Sequence, residues 1–261
     1  MIDERRPLLF LTSVAVSSIP FFVLGAVTGG VRMGALRLPA SAVMFVVPVA
    51  VAVALTWRYS GAAAVPGLLL RAVDRPAAAL RWYALAVLLP VAPAVGSAAA
   101  VCWTGQAGWR LPLSPAAAPG LVLVFLIAAT CEELGWTGYA IEPLRQRFGM
   151  LPAALGLGVY WAVWHVIPLF EAGHPVGWIA GWFLGTVATR VLIVWLHDRT
   201  GHGVSAAILM HASINVTAAY TPGLDRPISA ITAGVLTAAL TAGLIWGGTS
   251  RTPRAVDASS H

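Results

Sequence analysis

An all-α, polytopic membrane protein, a bundle of about eight transmembrane helices around an internal polar cavity, is the fold class this sequence predicts. Three observations predict it. Of 261 residues, 59% are hydrophobic and only 10% charged, with a mean hydropathy of +0.82, whereas a soluble domain carries about 25% charge. The apolar residues fall into runs of the roughly 17–25 residues that a helix needs to cross hydrocarbon. The arginines, which are all the basic residues present, are concentrated between those runs.

Taken in order, the runs lie near 7–29, 38–57, 82–103, 117–141, 151–170, 176–196, 203–220 and 228–247. The first follows a charged start, "MIDERRPLLF", but is too long for a secretory h-region and lacks a small-residue cleavage site, so it reads as an uncleaved span. Between the second and third, "RYSGAAAVPGLLLRAVDRP" (58–76) reads as an interfacial segment with arginines at the headgroups and leucines in lipid. The sixth places Gly177, Gly181 and Gly185 four apart, a spacing that lets helix backbones approach closely. The seventh is the weakest span, because it contains His211 and Asn215. Nothing marks a second domain. Residues 1–261 read as one integral membrane domain ending in a polar tail, 248–261.

Eight spans put both termini on one side. That side holds Arg5, Arg6, Arg58, Arg71, Arg75, Arg81, Arg145, Arg147, Arg199, Arg251 and Arg254, against Arg32, Arg37, Arg110 and Arg226 on the other. The positive-inside rule then predicts a multi-pass cell-membrane protein with both termini cytoplasmic. The net charge of +6 is thus a topology signal. No basic cluster with interleaved aromatics suggests nucleic-acid binding. Cys102 and Cys131 show no metal or disulfide spacing and read as small apolar side chains.

Against this background, Glu132 and Glu133 in "CEELGWTGYA" stand out, since each ionisable group near a bilayer centre costs about 2.5–3.5 kcal/mol on insertion scales. Glu132 precedes Arg145 by thirteen residues, about 20 Å at 1.5 Å per residue. His165 lies about 21 Å into the fifth span, and His211 and Asn215 about 12 and 18 Å into the seventh. All of them can therefore meet in one layer. Single polar groups of this kind often only glue helices together, at about 1 kcal/mol; five at matched depth point to a site.

Adjacent carboxylates cannot both ionise cheaply, so one is expected to be pushed toward neutrality while the other takes a proton from water. Imidazole and amide donors suit a developing oxyanion. No serine elbow or HExxH is present, which argues against an acyl-enzyme and a zincin. Glutamate and histidine can also ligate zinc or another divalent ion, so a metal is an open alternative to none.

These residues resemble the CPBP intramembrane proteases, which include the CAAX prenyl endopeptidases and bacterial proteins tied to bacteriocin processing and self-immunity. That family carries Glu-Glu-x-x-x-Arg, Phe-x-x-x-His and His-x-x-x-Asn on separate helices. Here the three are "EELGWT" (132–137), "WAVWH" (161–165) and "HASIN" (211–215), within a core of about 80–220. The resemblance implies an endopeptidase acting on a membrane-associated peptide, with Glu132 as general base and His165 holding the same water. His211 and Asn215 would stabilise the oxyanion, and Glu133 would shape the site. If a metal is used, the implied ligands are Glu132, His165 and His211. An inactive immunity or scaffold protein of the same fold is the alternative; a proton-coupled transporter lacks the inverted repeat it would need.

Two positions depart from the pattern. Trp161 replaces the usual phenylalanine, an exchange of one aromatic for another. Thr137 replaces the arginine that would pair with Glu133, leaving one hydroxyl four residues away on the same face. Arg190 is the one arginine inside a span, and it is expected to snorkel to the headgroups. Supplying the missing cation is the less favoured reading, because Arg190 lies about 140° around the helix from the Gly185 face.

Overall fold

Apolar runs without side-chain caps become long helices only where lipid or protein covers them, and the computed structural model shows such helices. It describes residues 5–33, 36–74 and 79–249. The expected tail beyond Thr249, with Arg251 and Arg254, lies outside the described residues, as does Arg75.

Helix α1 (Pro7–Val27) leads to a short antiparallel hairpin, β1 (Val31–Met33) and β2 (Leu36–Leu38). A 3-10 turn over Ala40–Val46 runs into α2 (Val47–Ser60). Then come the short α3 (Val65–Leu70) and a broken span made of α4 (Leu80–Leu88) and α5 (Val91–Trp103). Helix α6 (Ala118–Gly135) continues through a π turn at Trp136–Ala140 into α7 (Ile141–Phe148). The bundle is completed by α8 (Met150–Glu171), α9 (Val176–Arg199), α10 (Val204–Ala219) and α11 (Pro227–Thr249).

Among the described residues, seven helical segments are long and apolar enough to cross a membrane. The seventh expected span, α10, has only 16 residues, about 24 Å of helix against about 30 Å of hydrocarbon. Asp74 fixes its start: its carboxylate accepts from the backbone N–H of Val204 (2.6 Å) and Ser205 (3.2 Å). Large apolar side chains such as Val16, Leu123 and Val163 are exposed on the outer faces, as lipid contact requires.

Helix α9 is the centre of the bundle, with 61% of its apolar window buried, against 17% for α1. Its glycine face packs on α11. A Cβ at Gly181 would lie 2.5 Å from Ile231 N, and one at Gly185 would lie 3.2 Å from Gly234 Cα. Gly177 meets nothing within 4 Å, so the expected three-glycine contact is a two-glycine contact. On the opposite side of α9, Gly158 of α8 sits so close that an added Cβ would be 3.1 Å from Arg190 Cβ. That approach places Arg190 between α8 and α9.

The π turn widens the helix one turn beyond Glu132 and Glu133, a feature frequent near functional sites. It leaves the Gly138 carbonyl to other donors, and Arg5 (2.9 Å) and Arg71 (2.5 Å) supply them. Arg71, expected at the headgroups, instead folds onto this turn and also reaches the His202 carbonyl at 3.3 Å.

Candidate active site

Glu132 and Glu133 are neighbours on α6, so their side chains leave the helix about 100° apart and enter different surroundings. Both are buried. Glu133 faces α9 and α10. Arg190 Nη1 donates to its Oε2 at 2.8 Å and Nη2 to its Oε1 at 3.0 Å, a bidentate pair with both side chains fully buried. His211 Nδ1 donates to Oε1 at 2.9 Å, and the Thr137 hydroxyl donates to Oε2 at 2.5 Å. The hydrogen bond expected of Thr137 is therefore present.

Arg190 does not snorkel. The expectation failed on one premise, that the glycine face of α9 packs toward the site. That face packs on α11, so the opposite side of α9 meets the carboxylates. The Arg190 guanidinium compensates the charge of the Glu133 carboxylate, as a charge this deeply buried requires.

Glu132 faces α8. Its Oε2 accepts from the indole N–H of Trp161 (2.9 Å) and of Trp136 (3.2 Å). Trp161 is thus more than an aromatic spacer, since phenylalanine has no N–H to offer. Its ring also lies under the Arg190 guanidinium, 4.2 Å from Cζ to centroid. One indole therefore touches both halves of the site: the Glu132 carboxylate through its N–H and the Arg190–Glu133 pair through its face.

His165 donates from Nδ1 to the Trp161 carbonyl at 2.9 Å, which leaves Nε2 as the acceptor nitrogen. Trp164 and Trp182 enclose the ring at centroid distances of 4.8 and 5.3 Å. Asn215, one turn beyond His211, is half-buried, and its amide has no hydrogen-bond partner among the described residues.

Two cavities meet here. One, of about 590 Å³, extends from the β1–β2 hairpin past Val43, Phe125 and Trp164. The other, of about 280 Å³, lies between α5, α9, α10 and α11. Glu132, His165, Trp182 and Asn215 line both. Glu133 and Arg190 line neither.

The donor atoms of Glu132, His165 and His211 do not gather within 4.8 Å of one another, so the set does not fit a metal centre as it stands. Among the described residues, the set that does gather is Glu142, His197 and His202, at the arginine-rich end. There the Arg145 guanidinium takes the centre, with Nη1 at 2.9 Å from His202 Nδ1, 3.3 Å from Glu142 and 2.5 Å from Asp198. That cluster is an ion-pair network built around an arginine.

Residues 114–217 match the Rce1-like family, type II CAAX prenyl endopeptidases. That match covers under half of the chain. Its similarity to CAAX prenyl protease 2 of Methanococcus maripaludis is 30% identity over 104 residues, covering 37% of this chain and 38% of that relative. The shared stretch therefore spans well under half of either protein. The structure brings together the residues that the sequence singled out on α6, α8 and α10. Sequence reasoning missed Trp136 as a partner of Glu132 and ranked Arg190 wrongly. The available signal was Arg190 itself, a charge inside an apolar span.

Proposed function

We propose that this chain is an intramembrane endopeptidase in which Glu132 activates water. The observation that carries the reading is the division of labour between the two carboxylates. Glu133 is consumed by Arg190, His211 and Thr137. Glu132 is held by two indoles through one oxygen, at the junction of two cavities, and its other oxygen has no hydrogen bond among the described residues.

On this reading Glu132 takes a proton from a water that His165 Nε2 helps to hold, and the hydroxide adds to the peptide carbonyl. The Asn215 amide donates to the oxyanion, and His211, anchored through Nδ1, turns Nε2 toward the same cavity. Collapse breaks the C–N bond, and the proton on Glu132 passes to the leaving amine. This chain's residues account for each proton in the cycle. The mostly apolar walls suit a membrane-associated peptide.

The orientation that the arginines favour puts both termini in the cytoplasm of a cell membrane. The test of activity is a comparison of peptide termini in membranes holding the wild type or Glu132→Gln. The glutamine oxygen can still accept from Trp136 and Trp161, so the fold is preserved. New termini should form with the wild type and be lost with Glu132→Gln, since general-base catalysis contributes about 10²–10⁴-fold. Identical termini in both would leave the immunity or scaffold reading in place.

A further inference from the structure

Both cavities that reach Glu132 have a sidedness. The larger is lined at its far end by Gly29, Val31, Arg37 and His174, from the hairpin and the loop after α8. Neither cavity includes a residue of the arginine-rich connections. That opposite end is closed by bonded groups. Arg5 and Arg71 converge on Gly138 O, and Arg145 ties Glu142 of α7 to Asp198 of α9 and to His202. A separate cavity on that face, lined by Arg5, Arg71 and Tyr139, contains none of the candidate catalytic residues. By the positive-inside rule, the closed end is cytoplasmic and the hairpin end faces outward.

We propose that Glu132 is served from the outer face of the membrane, the substrate being an extended apolar peptide at the outer leaflet that enters beside the β1–β2 hairpin. The scissile bond lies where the two cavities join, one side of the peptide in the hairpin cavity and the other between α5, α9, α10 and α11. The inference rests on the endopeptidase reading for what enters. Its test reads access alone.

In a Cys102→Ser, Cys131→Ser background, single cysteines are placed at the junction (Asn215→Cys, with Ala218→Cys as a second position lining both cavities). Two exposed controls, Trp109→Cys in the arginine-poor loop before α6 and Phe148→Cys at the arginine-rich end, report orientation. Each is exposed to a membrane-impermeant maleimide in sealed right-side-out and inverted vesicles. The junction cysteines should label in right-side-out vesicles together with Trp109→Cys, and Phe148→Cys only in inverted ones. Three results would overturn the proposal: junction labelling from the inverted side, junction labelling by a permeant reagent alone, or exchange of the two controls. Outer labelling without any Glu132-dependent cleavage would instead sink the endopeptidase reading and leave the access route standing.

Discussion

A guanidinium supplied by α9 takes the place of the arginine absent at position 137, and the two arrangements make different demands on the chain. An arginine at 137 would reach Glu133 from the same helix; Arg190 reaches it across a helix interface and stacks on Trp161 on the way. Removing it by Arg190→Leu leaves a buried carboxylate facing only His211 and Thr137, at a cost of about 3–5 kcal/mol. The expected result is a lower melting temperature together with lost cleavage, since Trp161 loses the cation that packs on its face. Adding Thr137→Arg should restore part of both, because position 137 is one helical turn from Glu133. Failure of this second change to rescue either property would show that the pairing alone does not hold the site. The sequence made the carboxylates, histidines and amide legible because their residue types are costly in lipid and their spacing is fixed within each helix. It could not show where Arg190 points, since a helix with glycines on one side does not declare which neighbour that side meets.

At the scale of elements, α9 works through two opposed faces, one flattened by glycines against α11 and one carrying Arg190 toward α6. Overpacking the first face should disturb the second. Gly181→Val would force a side chain into Ile231 backbone atoms and should destabilise by about 1–3 kcal/mol. Gly177→Ala, at a position with open space, should change stability by no more than about 0.5 kcal/mol. Melting curves of the two variants in the same detergent check this, and equal tolerance would refute the close α9–α11 contact. Long apolar runs made the spans readable from sequence. The π turn at Trp136–Ala140 was not, because an added residue in the hydrogen-bond register leaves no trace in hydrophobic periodicity. The seventh run, read as 203–220, is α10 over Val204–Ala219, but the carboxylate that caps its start, Asp74, lies 130 positions away and was not legible.

For the whole molecule, composition and arginine placement were sufficient to predict a polytopic bundle, while the meeting of two cavities at Glu132 depends on tertiary packing and was not legible. The proposed chemistry depends on that packing in one respect above all: the two adjacent carboxylates must have different jobs. On the proposed reading, Glu133 serves the bundle and Glu132 serves the reaction. The most direct test is the cleavage rate of Glu132→Gln set beside that of Glu133→Gln, each normalised to its folded fraction. The account predicts that Glu132→Gln melts like the wild type and loses about 10²–10⁴-fold in rate. It predicts that Glu133→Gln, with Arg190 left buried and uncompensated, loses stability first. A Glu132→Gln protein that still cleaves, beside a stable Glu133→Gln protein that does not, would contradict it.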